Sequence, residues 1–257
     1  MGTICITGSA SGIGAATRER LERAGHRVVG VDLHDADVEA DLSAPEGRAA
    51  LVAEVGSLCD GRLDGLVAGA GVQGRAPSLV VSVNYFGAVA TLEGLRPLLA
   101  RGTGPSAVAI SSNSSTVVRD VDEPTVEACL AGDEPLARKR LEELGGLTAY
   151  PTSKLALARW VRRHAATGDW MGAGIRLNAI APGPTATPMT ERLGDVVLQL
   201  GDEYPVPIGR IAQPAEIASV LAFLLSAESS YVAGAVLPVD GGGEAATRAA
   251  DWPRPRR

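Results

Sequence analysis

The sequence predicts an α/β fold, a single-domain doubly wound Rossmann-type parallel sheet with helices on both faces. Three observations carry that expectation. Short apolar runs alternate along the chain with stretches of helical periodicity. The first run, residues 3–7, leads straight into a glycine-rich turn with a helical pattern behind it. The second ends on an acidic residue, Asp32, placed 18 residues after the last glycine of that turn.

Buried strands are expected at 3–7, 27–31, 63–67, 107–110 and 175–180, with a last strand at 235–239. These runs are continuously apolar, as in strands covered on both faces. Helices are expected at 12–24, 46–58, 83–99, 150–167 and 214–226, the last with Ile217, Val220, Leu221, Leu224 and Leu225 at helical spacing. Two stretches break the rhythm. Residues 113–147 form a polar, charge-rich insertion with a helix of its own near 134–144, offering Leu136, Leu141 and Leu144 as apolar contacts. Residues 182–209 form a loop rich in Pro and Gly. The domain is therefore expected over 1–243, with a C-terminal tail at 244–257.

Composition narrows the function classes. A net charge of −6 gives no electrostatic reason to bind nucleic acid or an anionic membrane. No apolar run reaches the roughly 18 residues that span a bilayer, and the start lacks a basic segment followed by a cleavable apolar stretch. Cys5, Cys59 and Cys129 are scattered without CxxC spacing and read as reduced thiols of a cytoplasmic protein. His26, His34 and His164 show no metal-ligand spacing, so no metal is expected. Neither a GxSxG elbow nor paired carboxylates point to hydrolysis.

The turn after the first run reads Gly8-Ser9-Ala10-Ser11-Gly12-Ile13-Gly14. Glycines there let the backbone approach a pyrophosphate, which the positive end of the following helix favours. Asp32 can accept hydrogen bonds from the ribose hydroxyls of NAD and would repel the extra phosphate of NADP; its neighbours Ser11 and Leu33 supply no compensating charge. The expected cofactor is NAD.

These motifs resemble the short-chain dehydrogenase/reductase family from Thr3 to about Gly243. TGSASGIG, Thr7 to Gly14, is similar to the family's glycine motif, and Asp41-Leu42 to its adenine-contacting pair. AGAG, Ala68 to Gly71, stands where the family has NNAG, so the hydrogen bonds of two structural asparagines must be replaced or absent, while Ala70 and Gly71 still suit a close cofactor. VNYFG carries the family's helix asparagine as Asn84, which the resemblance makes a proton-relay residue; as a lone mid-helix asparagine it reads equally as packing. Pro182-Gly183-Pro184-Thr185-Ala186-Thr187 resembles the segment that holds the nicotinamide carboxamide. Within the family, GHRVVGVDLHDADVEADLS, VVSVNYFGA and the long insertion are similar to bacterial 3α-hydroxysteroid dehydrogenase/carbonyl reductases.

Tyr150 and Lys154 lie four residues apart, on one face of a helix whose first turn accommodates Pro151. A nearby ammonium favours phenolate, so Tyr150 can exchange a proton with an alcohol or ketone. The family also uses this lysine to bind the nicotinamide ribose. The run Ser111-Ser112-Asn113-Ser114-Ser115 follows a strand; a hydroxyl there can polarise a reacting oxygen. The family pattern selects Ser112, with Ser111 and Ser114 as alternatives.

The function expected is an NAD(H)-dependent oxidoreductase that interconverts a secondary alcohol and a ketone, with a 3α-hydroxysteroid or related carbonyl as substrate and a homo-oligomer, dimer or tetramer, as its state. A dinucleotide-binding regulatory protein would share the scaffold; the complete Ser–Tyr–Lys set argues against it. Specificity is expected in the loop 187–207. The insertion separates Ser112 from Tyr150 by 37 residues. It is expected to emerge beside the substrate cleft, to cover the helix starting near Tyr150 and to change how subunits associate.

Overall fold

A computed structural model describes residues 1–191 and 194–251. Seven parallel strands form one sheet: β1 (Thr3–Thr7), β2 (Arg27–Asp32), β3 (Val38–Glu39), β4 (Gly65–Ala68), β5 (Ser106–Ile110), β6 (Arg176–Pro182) and β7 (Val236–Val239). Their order is β3-β2-β1-β4-β5-β6-β7, with Thr7 opposite both Val31 and Ala68. The chain therefore works outward from β1 in one direction, then returns to build the other half from β4. Between β1 and β4 the connections leave towards opposite faces, which opens a crevice at the C-terminal strand ends. The predicted fold is the observed one.

Alternate residues of each strand feed two cores. Cys5 and Leu66 face α2 (Pro45–Leu58) and the long helical run that ends in α4 (Ala88–Leu99), where Leu51, Val55, Leu92 and Leu95 are buried. Ile4, Ile6 and Val67 face α1 (Gly12–Arg23) and α9 (Pro214–Leu225), meeting Leu21, Ile217, Leu221 and Leu224.

Several boundaries differ from expectation for local reasons. β3 has only two residues, too few to show a period. The helix expected from residue 83 starts at Pro77, as α3 (Pro77–Val81), then widens into a π-helical turn, Ser82–Gly87, before α4. By length and hydropathy this 23-residue run equals a bilayer span, contrary to the sequence expectation that no run does. It is a core helix, burying Val80, Val81, Tyr85, Leu92, Leu95 and Leu99. The helix that carries Tyr150 is α8 (Gly146–His164), and it begins four residues early. Pro151 thus lies inside the helix, not in its first turn, and cannot donate to the Leu147 carbonyl.

The insertion holds three helices where one was expected: α5 (Ser114–Val117), α6 (Glu123–Leu130) and α7 (Glu134–Leu144). Residues 122–125 and 133–136 read DEPT and DEPL, the same signal used twice. Asp122 and Asp133 cap by accepting from Thr125 N at 2.9 Å and Leu136 N at 3.0 Å; Glu123 and Glu134 sit at the positive helix ends. α6 lies along α8 through the ion pairs Arg159–Glu123 and Arg163–Glu127, and joins α7 through Arg140–Asp122. The insertion therefore covers α8 from within the chain. Of its three proposed apolar contacts Leu141 alone is buried, beside Ala137; Leu136 and Leu144 remain 44% and 49% exposed because they point off the packed face. At the C-terminus, α10 (Gly243–Thr247) occupies the start of the segment read as a tail, and residues 252–257 of that segment lie outside the described residues.

This packing separates two leucines of one helix. Leu141→Ala is expected to cost about 2–5 kcal/mol in urea unfolding, and Leu144→Ala less than about 0.5 kcal/mol. Equal costs would mean that α7 does not pack on this face.

Candidate active site

A cleft opens where β1, β2, β4, β5 and β6 end, and the sequence-selected residues converge on it. On one side stands the glycine turn. Gly8 adopts φ +75° and its N–H donates to Val31 O at 2.8 Å, which bends the chain across the end of β2. A Cβ on Gly8 would lie 2.9 Å from Ala70 N, and one on Gly14 would fall onto the Gly8 carbonyl oxygen. The turn is thus pressed against both its own helix and the loop after β4. Ser11, Gly12, Ile13 and Gly14 line the cleft, and Ser11 makes no side-chain cap bond to α1, so the positive helix end is left for an anion.

Asp32 closes the far end. Its carboxylate accepts from Ala10 N at 2.9 Å and Leu33 N at 2.8 Å, so the side chain is aimed before any ligand arrives. Asp41 and Leu42 line the same end. The Ser43 hydroxyl and N–H hold the Asp41 carboxyl below the usual carboxylate range, with Arg48 adding to the effect.

At the loop after β4, where the two asparagines are absent, the structure shows a tie that sequence reading missed. The Thr7 hydroxyl accepts from both Gly69 N and Ala70 N at 3.1 Å and ties β1 to the loop after β4. Ala70 and Gly71 then line the cleft. Asn84 is wholly buried and does not line it. Its Oδ1 accepts from Val72 N at 2.8 Å, while Nδ2 donates to Val72 O and to Ser153 Oγ. Both amide protons are thereby used in joining the π-helical turn to the loop and to α8. The side chain thus acts as a clamp between the π-helical turn, the loop after β4 and α8. The physical reason is the π-helical turn, which aims the amide across to Val72.

At the other end stand Ser112, Tyr150 and Lys154. The serine run sorts itself by partner. Ser111 Oγ donates to Lys154 O at 2.8 Å and is committed to α8. Ser114 donates both N–H and Oγ–H to Ser112 Oγ, at 3.2 and 3.0 Å. Ser112 thus keeps its own proton to give, and it lines the cleft beside Tyr150. Lys154 is buried, with Nζ donating to Ile110 O at 2.8 Å and lying 5.8 Å from the Tyr150 ring centroid.

Pro182, Gly183, Thr185 and Thr187 pass over this end. Ala212 pins them, accepting from Ala186 N and donating to Pro184 O, each at 2.8 Å. Of the loop 187–207, Met189, Val197 and Tyr204 reach the cleft. Tyr204 donates its hydroxyl to Asn113 Oδ1, and Asn113 Nδ2 donates to Asp240 Oδ2 at 3.3 Å. Nothing in the sequence spacing, 91 residues between Asn113 and Tyr204, announces that link. Of residues 113–147, Ser114 alone lines the cleft among the described residues, so the insertion borders it at the start of α5, while α6 and α7 lean on α8 and α3.

Electrostatics at the centre differ from expectation. Desolvation pushes the Tyr150 phenol above its ordinary value, and the nearby Ser112 hydroxyl opposes it. The expected lowering by Lys154 does not prevail, because that ammonium is itself desolvated and bound to a carbonyl. Burial pulls Lys154 down from 10.5 to about 8. The folded chain therefore holds this proton less tightly than the unfolded one. Stability is reduced while the lysine is charged and recovers as pH rises from about 8 to 10.5. Lys154→Met is expected to raise stability by about 1–2 kcal/mol at pH 7, the unpaired Ile110 carbonyl offsetting part of the gain. The gain should shrink towards pH 10; a loss of stability at pH 7 in thermal unfolding would refute the account.

Comparison with known proteins identifies the family. Residues 2–121 match the family described as short chain dehydrogenase, and 137–244 the one described as Enoyl-(Acyl carrier protein) reductase. The gap between the two falls in the insertion. The chain is 46% identical to a 3-alpha-hydroxysteroid dehydrogenase/carbonyl reductase of Comamonas testosteroni, over 96% of this chain and 98% of that one. It is 35% identical to a coniferyl-alcohol dehydrogenase of a Pseudomonas species, over 93% and 95%. Among solved structures, a 3-alpha-hydroxysteroid dehydrogenase from Pseudomonas sp. B-0831 complexed with NADH superposes with a TM-score of 0.89 at 45% identity, covering 97% of this chain and 100% of that one. With its parallel sheet, its glycine turn and relatives this similar over nearly their whole length, the chain belongs to the short-chain dehydrogenase/reductase family of oxidoreductases.

Proposed function

We propose that this protein is an NAD(H)-dependent enzyme that interconverts a secondary alcohol and a ketone by Ser112, Tyr150 and Lys154. One observation carries the reading: Ser112, Tyr150 and the buried Lys154 ammonium line one cleft with an uncapped helix end and an aimed Asp32. The cleft suits a dinucleotide. The Gly8 and Gly14 positions leave no room for a Cβ, which lets backbone reach a pyrophosphate. Asp32, Asp41 and Leu42 offer acceptors and an apolar wall for adenosine, and Pro182, Gly183, Thr185 and Thr187 a polar backbone for the nicotinamide amide. Lys154 is the one cation among the described lining residues, so nothing near Asp32 would neutralise a 2′-phosphate.

When bound, the nicotinamide supplies or accepts the hydride. The side chains handle the oxygen and its proton. Ser112, with its lone pairs occupied by Ser114, donates to the reacting oxygen. Tyr150, kept protonated by desolvation, gives its proton to the nascent alkoxide during reduction and takes it back during oxidation. Lys154 keeps positive charge beside the phenol and favours the phenolate that each cycle passes through. Asn84 keeps these parts in register by clamping Val72 and Ser153.

Met189, Val197, Ile211 and the Tyr204 ring give the substrate end an apolar wall, as an alicyclic or steroid alcohol requires. The 3-alpha-hydroxysteroid activity named for the relatives supports that class. A cytoplasmic homo-oligomer completes the reading; because α6 already covers α8, subunits associate through other surfaces.

Two measurements test it. Tyr150→Phe is expected to lower kcat by about 10²- to 10⁴-fold while NADH binding persists; near-normal turnover in the folded variant would end the assignment. The unaltered enzyme is expected to prefer NAD(H) over NADP(H), and Asp32→Ala to erode that preference by roughly tenfold or more, the loss of hydrogen bonds to a charged acceptor. Equal catalytic efficiency with both cofactors before mutation would sink the NAD assignment.

A further inference from the structure

Arg48 of α2 and Glu134 of α7 stand 86 residues apart and meet in a two-pronged ion pair, with Nη1–Oε2 at 2.7 Å and Nη2–Oε1 at 2.9 Å. Both side chains are largely buried, at 11% and 20% exposure. The other guanidinium contacts go to backbone. Nε donates to Leu42 O at 2.8 Å, and Nη2 donates to Ser43 O at 3.2 Å and Ser82 O at 3.0 Å. One rigid planar group therefore ties together the segment after β3, the start of the π-helical turn and the insertion.

That segment has little room to move. A Cβ on Gly87 would lie 2.9 Å from Leu42 Cβ, and one on Gly47 would fall onto the Asp41 carbonyl oxygen. Leu42 and Asp41 line the cleft; Arg48 and Glu134 do not. Glu134 is the counter-ion without which Arg48 is a buried cation facing three carbonyls, and it sits in the first turn of α7, where the helix end favours its charge. A second carboxylate of the same helix, Glu142, accepts from Ser78 N at 3.0 Å and braces the start of α3.

We propose that Glu134, through Arg48, is a positioning residue for the adenosine end of the cofactor cleft, by which the insertion sets affinity for the dinucleotide. The inference rests on the assignment of Asp41 and Leu42 to adenosine. It touches no reacting atom: Ser112, Tyr150 and Lys154 are held by β5 and α8, which share none of these hydrogen bonds. Loss of the carboxylate releases the guanidinium plane and, with it, the Leu42, Ser43 and Ser82 carbonyls, while Asn84 further along the π-helical turn keeps its own bonds to Val72 and Ser153. The adenosine end loosens while the nicotinamide end is kept.

The test is calorimetric titration of the full chain and of Glu134→Ala and Glu134→Gln with ADP-ribose, reduced nicotinamide mononucleotide and NADH. Glu134→Ala is expected to weaken ADP-ribose and NADH by about tenfold and to leave the mononucleotide affinity and kcat at saturating NADH unchanged. Glu134→Gln, which keeps an acceptor but not the charge, should show a smaller loss in the same two ligands. Unchanged ADP-ribose affinity in a cooperatively unfolding variant would overturn the proposal, as would equal losses at both halves, the mark of general loosening. Should the alanine variant not fold, the glutamine variant decides by the same two criteria. Failure of the unaltered chain to bind either NADH or ADP-ribose would instead bring down the cofactor assignment, and this inference with it.

Discussion

The glycine turn and the loop after β4 approach so closely that neither admits a side chain at the point of contact. Gly8 faces Ala70 N at a distance no Cβ would tolerate, and the Thr7 hydroxyl takes the N–H groups of Gly69 and Ala70. This contact lies where the sheet changes direction, between β1 and β4. It fixes how wide the crevice opens, and everything placed beyond the strand ends inherits its position. Asp32 is aimed by Ala10 within the same turn, and Gly71 carries the wall onwards to Asn84 and Lys154.

The end of the cleft around Lys154 costs stability that the rest of the fold supplies. Lys154 is a charged group buried on the strand side of α8, with one carbonyl as its partner and its pKa pulled down to about 8. An apolar side chain would pack there more favourably. The two cores on either face of the sheet offset that cost, as expected where function requires a strained or desolvated site. Tyr150 shows the same tension: desolvation withholds its ionisation, and Ser112 partly restores it.

The insertion is tied to the body by apolar burial, with Val126, Ala128 and Cys129 of α6 in the main core, and by charges. Leu141 and Ala137 are its buried apolar contacts on α7, whereas Arg159–Glu123, Arg163–Glu127, Arg140–Asp122 and Arg48–Glu134 link it to α8, within itself and to α2. Three of these pairs are at least partly exposed and contribute little individually. Arg48–Glu134 is the one largely withdrawn from water, and it is the one that reaches the cleft wall.

Local pattern alone determined the strand–helix alternation, the glycine turn, Asp32 and the Tyr150–Lys154 spacing, because each depends on residues within a few positions of one another. Helix α7 was legible to the residue for the same reason, while α6 was overlooked although its DEPT start repeats the signal of α7. Tertiary structure decided what depends on distant partners. It sorted Ser112 from Ser111 by giving Ser111 to the Lys154 carbonyl, and it turned Asn84 into a clamp on Val72. It also tied Thr7 to the loop after β4, and joined Tyr204 to Asn113 and Arg48 to Glu134 across 91 and 86 residues. A hydrogen-bond partner so far along the chain leaves no period or spacing to read; the packing of helices on the sheet selects it.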